Sequence, residues 1–359
     1  MTDKKKALIL SAMPQKRLSE EFEKKDWEVE VVSPSDLYCY ISDKKGYDRV
    51  YLRADEQGKR LKIKEYSAIV PRISGAGFDY GCLALEQLTK NLGIFSTASP
   101  SGLKLCSNKF ETSQFLSQHR IRNPKQILAH KLTDFKETIE LIGGLPCIVK
   151  LQKGSQGSGV YILRNEEDAS QTLRALRTSD ADLILQQKID SGTPANDLRI
   201  WVIGAFLKEP KVIGYQRFAL DGDFRSNYSL SQSGKKVDLT DEEREMAIIS
   251  ARALNMHVAG VDIMRNTKEE NRPYVIEVNG NPGLTGIEAV TGENVAAEVV
   301  NFVVNNYSKT FSDSRLMARE SVNALSQQLS SMPSDAQTLD VLRILNNASR
   351  ELRLYNYKS

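Results

Sequence analysis

Short apolar runs alternate with charged stretches of helical spacing along the first hundred residues. Lys6 to Leu10 is apolar, Arg17 to Lys25 is charged and helical in pattern, and Glu28 to Val32 is β-branched and short. This alternation predicts a βαβ unit and a parallel sheet. A further strand at Ala68 to Val70 runs into Pro71-Arg72-Ile73-Ser74-Gly75-Ala76-Gly77, followed by a helix from about Asp79 to Asn91. The composition turns to Ser, Thr, Pro and Gly over Ser96 to Gly102, marking a first boundary. Beyond it the pattern predicts a helix at Lys109 to Gln118, a strand at Gln126 to His130 and a helix at Asp134 to Ile142. Strands at Cys147 to Lys150 and Val160 to Leu163 flank a glycine-rich loop, with a helix over 166–178 and a strand at Asp182 to Gln187 next. Apolar strands at Ile200 to Ile203 and Val212 to Arg217 precede Thr240 to Glu243, a capping box that opens a helix to about Leu254.

The last two strands, Val258 to Met264 and Tyr274 to Val278, form an antiparallel pair. The polar run Asn266 to Pro273 between them is too rich in turn formers to continue either strand. After it, Ala318, Val322, Leu325 and Leu329 make one apolar helical stripe, and Val341, Leu345, Ala348 and Leu352 make a second. Together the elements predict an α/β (α+β) chain with four parts: 1–96, a parallel-sheet domain; 97–190, a central flap domain; 191–309, carrying the strand pair; and 310–359, a helical hairpin.

Composition narrows the class. With 359 residues, 40% of them hydrophobic, the chain is long enough for two or three domains with sizeable cores. A net charge of +3, spread along the chain, gives no support to nucleic-acid binding. Cys39, Cys82, Cys106 and Cys147 are far apart and form no C-x-x-C, which argues against a zinc site or disulfide framework and fits a reducing, cytoplasmic setting. No stretch approaches the ~20 apolar residues that span a membrane. The basic start and short apolar run at the N-terminus read as a first strand rather than a signal peptide. His119, His130 and His257 are isolated and receive no role.

Candidate chemistry gathers at the strand pair. Glu277 and Asn279 are two residues apart and share one face of an extended strand, while Asp262 lies mid-strand among apolar neighbours. Two carboxylates and an amide oxygen form a hard-oxygen site suited to magnesium. The plainer alternative is a hairpin whose acids are neutralised by Arg or Lys. The loop Gly154-Ser155-Gln156-Gly157-Ser158-Gly159 lacks the G-K-[ST] ending of a P-loop and is followed by a β-branched run. It fits a flap whose backbone N–H groups approach phosphate, with Lys150 at its root, or an ordinary hairpin tip with a surface lysine. Arg72 ends a strand of an open α/β sheet, where ligands gather, and is a plausible carboxylate binder or a solvent-facing loop residue. Arg199, Arg217 and Arg225 precede the proposed metal strands, as transfer of a phosphoryl group requires.

The order Lys109, IVKLQKGSQGSGV, DLRIWVIG, QRFALDGDFRSN, VAGVDIM and VIEVNGNPGL resembles the ATP-grasp superfamily, and within it the RimK-type α-L-glutamate ligases, over roughly residues 1–307. The resemblance implies an ATP-grasp fold with ATP clamped between the central and C-terminal domains. It implies that Lys109 and Lys150 contact phosphates or the adenine side, that Gln187 and Lys188 line the adenine, and that Asp197 meets the nucleoside. Arg225, Ser226 and Asn227 would lie along the phosphates, with Arg217 and Arg225 as catalytic arginines. Asp262, Glu277 and Asn279 would hold two Mg2+ ions, or Mn2+, and Arg72, Arg199 and Asn281 would face the substrate. Gln187-Lys188 replaces the Glu-Tyr common in these ligases, and Tyr228-Ser229-Leu230-Ser231-Gln232 stands where a His-Arg-Gly-Gly-like run is expected.

What the resemblance implies chemically is a carboxylate phosphorylated by ATP and then attacked by an amine, with no protein nucleophile. The amine would be glutamate or another amino acid, the acceptor a peptide or protein carboxylate, and the enzyme a homo-oligomer without nucleic-acid or membrane partners. Two other classes remain open: a different peptide-modifying ligase, and a non-catalytic nucleotide-binding scaffold.

Overall fold

The computed structural model describes residues 4–41, 43, 49–52, 66–130, 135–152, 159–176, 182–220, 233–308, 341–342 and 344–345. The first region runs β1 (Lys6–Leu10), α1 (Lys16–Glu23), β2 (Glu28–Val32), β3 (Leu37–Tyr40), β4 (Arg49–Leu52), β5 (Ala68–Pro71), α2 (Phe78–Glu86), β6 (Phe95–Ser96) and α3 (Pro100–Ser107). Among the described residues β2, β1, β5 and β6 pair in that order as a parallel sheet, as the alternation predicts. Ala7 to Leu10 and Ala68 to Val70 are buried, as expected for strands covered on both faces. Helix α2 leads into a single wide turn, Gln87–Asn91, before β6.

The second region runs α4 (Lys109–Gln118), β7 (Gln126–Ala129), α5 (Phe135–Leu141), β8 (Cys147–Leu151), β9 (Val160–Leu163), α6 (Glu166–Leu176) and β10 (Leu183–Gln187). Its strands form an antiparallel sheet in the order β7-β10-β8-β9. Alternation puts Cys147 and Val149 of β8 in a core with Ile139, Leu163, Leu173 and Leu185. Ile148, Lys150 and Gln152 therefore look out from the opposite face.

The third region runs β11 (Asn196–Ile203), β12 (Lys211–Phe218), β13 (Gly234–Lys236), α7 (Asp241–Ala253), β14 (Val258–Asn266), β15 (Arg272–Asn279), α8 (Leu284–Thr291) and α9 (Val295–Asn306). Its antiparallel sheet has the order β13-β12-β11-β14-β15. The predicted capping box is present at α7: the Thr240 hydroxyl accepts from Glu243 N (3.2 Å), and the Glu243 carboxylate accepts from Thr240 N (2.9 Å). One sheet face carries Leu198, Ile200, Val202, Ala259, Val261, Ile263 and Val278 into a core continuous with Leu8, Leu10 and Ile69 of the first sheet. The other face carries the polar residues.

The β14–β15 connection is shorter than the sequence suggests. Both strands run on, pairing Asn266 with Arg272, and one 3-10 turn, Thr267–Glu269, with Glu270 and Asn271 at positive φ closes the hairpin. Pro273 is tolerated inside a strand because β15 is the edge strand of its sheet among the described residues.

Two compact units are separable, Met1–Val304 and Asn305–Ser359. In the second, residues 341–342 and 344–345 are helical. The predicted stripe of Ala318, Val322, Leu325 and Leu329, with Ala348 and Leu352 of the second, lies outside the described residues. No described helix is long and apolar enough to cross a membrane. All four cysteines are free, Cys82 and Cys147 buried, Cys106 partly so and Cys39 exposed.

Candidate active site

Strand register assembles the site. Asp197 lies opposite Arg217, Arg199 opposite Asp262, Asp262 opposite Glu277, and Gly260 opposite Asn279. Residues directly opposite in antiparallel strands share a face, so these side chains form one polar patch on the sheet. A bulge between Asp262 and Ile263 keeps it together. It inserts Ile276, so Val275 and Val278 both reach the core although three residues apart, while Glu277 and Asn279 face the patch.

Asp262 is 3% exposed, a position a carboxylate tolerates only with partners. Arg199 grips it with two donors, Nε to Oδ1 and Nη2 to Oδ2, the latter at 2.9 Å. Arg217 reaches the same Oδ2 at 3.0 Å and is itself clasped by Asp197, with Nε to Oδ1 at 2.7 Å and Nη2 to Oδ2 at 2.5 Å. The result is a buried chain of alternating charge, Asp197, Arg217, Asp262, Arg199. Burial pushes the Asp262 carboxyl up, but the two guanidinium charges outweigh it and hold the acid below its usual range. Asp197 faces the same burial with Arg217 as its main counter-charge and is raised. Asp262 and Asp197 in turn hold Arg217 protonated against burial. So the neutralised-hairpin alternative describes Asp262 well. It does not describe Glu277, which has no ion pair within 4 Å among the described residues.

Asn279 donates from Nδ2 toward Asp262 Oδ2 at 3.5 Å. Among the described residues no three His, Cys, Asp or Glu side chains gather as a metal cluster. The donor set is two carboxylates plus an amide oxygen, all hard, and it fits magnesium in kind. Close backbone packing frames it. A Cβ on Gly260 would come within 2.8 Å of Pro282, and one on Gly280 within 2.8 Å of Leu103 on α3.

From the other sheet, Lys150 belongs to the same electrostatic environment. Burial draws its ammonium down to about 8, Lys109 adds like-charge repulsion, and Glu277 and Asp262 oppose the shift. Lys109 begins α4, whose N-cap Asn108 accepts from Glu111 N at 3.0 Å and is also gripped by Gln152 at the root of the flap. That tie links the flap strand to the Lys109 helix. Asn is a residue type that caps helices, and Asn108 precedes Lys109 in the sequence, a signal that could have found the cap but not its tie to Gln152. Cys106, packed near Gly280, is pushed up to about 12 by burial and the charge of Glu277.

Other sequence-predicted residues are placed less centrally. Gln187 N donates to Lys125 O (2.8 Å), and its side-chain oxygen accepts from Lys125 N (3.3 Å), at the end of β10. Lys188 follows it. Gly159 has φ +75°, and Gly154, Ser155, Gln156, Gly157 and Ser158 lie outside the described residues, as do Arg225, Ser226 and Asn227. Asn281 donates to Ile73 O at 3.4 Å. Arg72 donates to Pro282 O (2.7 Å) and to Gln15 Oε1 (3.3 Å), bridging the first sheet to the segment after Asn279.

The arrangement sets a sheet with an outward-facing lysine beside a sheet bearing acids and arginines and a parallel-sheet domain, as a nucleotide-clamping ligase would need. The comparisons agree. Residues 106–303 match the RimK-like ATP-grasp domain and residues 6–103 the RimK PreATP-grasp domain. A "Probable alpha-L-glutamate ligase" from Pseudoalteromonas translucida is 32% identical over 288 residues, 80% of this chain and 90% of the relative. Among solved structures, the ATP-grasp ligase PsnB complexed with minimal precursor, Mg and ADP superposes with TM-score 0.63 at 14% identity, covering 85% of this chain and 98% of that one. D-alanine--D-alanine ligase from Bacillus anthracis complexed with ATP superposes with TM-score 0.58 at 17% identity, covering 87% and 99%. These last two show the ATP-grasp fold.

The chain belongs to the RimK-like ATP-grasp family. It is an ATP-dependent ligase of the amide-forming kind, and ATP with magnesium is general to that family.

Proposed function

We propose that this enzyme joins the amino group of an amino acid, glutamate by analogy with its relatives, to a peptide or protein carboxylate through an acyl phosphate. The observation that carries the reading is the buried Asp197–Arg217–Asp262–Arg199 chain, with Glu277 and Asn279 on the same sheet face and Lys150 opposite. In the first step a substrate carboxylate oxygen bonds to the γ-phosphorus of ATP and ADP leaves. In the second the amine attacks the acyl carbon, phosphate leaves, and the amine gives up a proton. Arg199, Arg217 and Lys150 supply the positive charge that holds the phosphoryl group as it moves. Asp262, Glu277 and Asn279 would hold magnesium, one ion or two, or manganese in its place; the metal neutralises charge on the phosphates. On the same reading the loop Gly154–Gly159 with Arg225, Ser226 and Asn227 would contact the phosphates, and Gln187 and Lys188 would border the adenine. A homo-oligomer in the cytoplasm is part of the same reading.

Asp197 carries a changed role. Both its oxygens accept from Arg217, which supports a role in aiming that arginine over contact with a nucleoside. A second reading, modification within a peptide rather than addition of a free amino acid, is favoured by the fold shared with a precursor-bound ligase. One experiment separates them: ADP release across a panel of amino acids and carboxyl acceptors, with products weighed. A mass gain of one amino acid less one water supports the first reading. Loss of one water from a single peptide supports the second. No ADP release with any pair refutes both.

A further inference from the structure

The carboxyl ends of β1 and β5 meet the segment after Asn279 at a seam that the phosphoryl chemistry leaves unused. There Arg72 is half-buried and, among the described residues, has no acid partner: it donates to the carbonyl of Pro282 and the side-chain oxygen of Gln15. Burial draws the guanidinium down to about 10 with no counter-charge to oppose it. Beside it lies a small cavity of about 20 Å3 lined by Arg72, Trp201, Thr97, Gly280 and Pro282 among others. Trp201 is 1% exposed, and among the described residues its indole N–H has no acceptor. An N–H donor buried without an acceptor is uncommon and costly. Arg72 and Trp201 thus both line one space, larger than the ~10–15 Å3 needed for a single water-sized occupant.

Resting on the ligase reading above, we propose that Arg72 and Trp201 form the seat for a carboxylate of the amino-acid substrate that does not react. The chemistry of the seat fixes the ligand class. A planar guanidinium with an adjacent neutral donor matches the two oxygens of a carboxylate. The seat's position selects which carboxylate. Trp201 and Arg199 are two residues apart on β11, about 7 Å along the strand, and on the same face. Pro282 lies over Gly260 with Arg199 beside it. The seat is therefore about one amino acid away from the Asp262 cluster. A carboxylate being phosphorylated must sit at that cluster. One held at Arg72 is spaced to leave the amino group of the same molecule near the acyl carbon.

The test uses the full chain and the variants Arg72→Gln, Arg72→Lys and Trp201→Phe, each checked for its melting temperature. The expected result for Arg72→Gln is a KM for the amino acid raised about 10–100-fold, with KM for ATP and for the acceptor within twofold. Arg72→Lys should recover part of the loss. Free glutamate should be preferred over its α-amide or its γ-amide by the wild type, and that preference should vanish in Arg72→Gln. A readout independent of turnover comes from Trp201, one of two tryptophans. In a Trp27→Phe background, glutamate should shift Trp201 emission, and Arg72→Gln should abolish the shift. A raised KM for the acceptor with the amino acid unaffected would assign the seat to the acceptor and overturn the proposal. So would unchanged kinetics in a well-folded Arg72→Gln. If the wild type forms no amide, the ligase reading fails, and the emission titration decides the seat alone: no shift with any amino acid overturns it.

Discussion

Two isosteric substitutions on the same face should have different physical consequences. Asp262→Asn and Glu277→Gln each remove one charge from the proposed metal set, and they lie opposite each other across the strand pair. Yet Asp262 is 3% exposed and bonded by both Arg199 and Arg217, whereas Glu277 is partly exposed and has no ion pair within 4 Å among the described residues. Removing one partner of a buried ion pair leaves uncompensated charge and costs about 3–5 kcal/mol. At ~2–4 °C per kcal/mol for a body of this size, or somewhat less, Asp262→Asn should lower the melting temperature by roughly 5–15 °C. Glu277→Gln should leave stability within about 0.5 kcal/mol, as for changes away from buried networks.

Activity should fall in both, by about 100-fold or more if a charge-stabilising donor is lost. Glu277→Gln is thus the cleaner test of the chemistry and Asp262→Asn the cleaner test of the charge chain. The assays are thermal unfolding followed by ADP release and by magnesium titration of analogue binding. If Asp262→Asn melts with the wild type, the arginine pairs contribute nothing and the electrostatic account is wrong. If Glu277→Gln turns over like the wild type, Glu277 does not hold metal.

Other outcomes follow from other parts of the molecule. Lys150→Ala should weaken binding of an ATP analogue about tenfold, and wild-type affinity should decline as pH rises through about 8, where Lys150 loses its charge. An analogue titration flat from pH 7 to 9 would refute this. Burial holds His257 near 4, amid Phe95, Phe206 and Phe302, so the fold prefers its neutral form. The stability this gives is present above the unfolded value of about 6.5 and lost as pH falls toward 4, up to about 3 kcal/mol. Denaturant titrations should show that slope, and His257→Phe should flatten it. Asp197→Asn should lower kcat more than it raises KM for ATP, because it frees Arg217 rather than a nucleotide contact. The reverse split would return Asp197 to the nucleoside. Deleting residues 312–359 should reduce stability or change the mass seen by light scattering while leaving ADP formation per folded site, since the family match ends at residue 303. A folded truncation of unchanged mass with no activity would show that the tail reaches the site.

What the sequence conveyed was local, and what it missed depends on register. Period-two and helical spacing located β1, β2, β5, α4 and the capping box of α7, because each is decided by neighbours a few residues away. The strands β14 and β15 run past the turn formers at Asn266 and Pro273, because β15 is an edge strand, a position that local pattern does not disclose. The pairing of Asp197 with Arg217, twenty residues on, is set by which residues β11 and β12 place opposite each other. The same holds for Trp201 and Arg72, which line one cavity only because one sheet's end is laid against another. Motif order identified the acids and arginines but could not show which of them neutralise each other. That distinction has chemical weight. Asp262 needs its arginines to be charged and buried at all, so on the proposed reading those arginines would share it with a bound cation. Glu277, opposite it and without an ion pair within 4 Å among the described residues, would meet that cation with no arginine partner to displace. The two acids of the set are therefore not equivalent, and the asymmetry arises from the register of β11 against β14, which places Arg199 opposite one acid and leaves the other at the sheet edge.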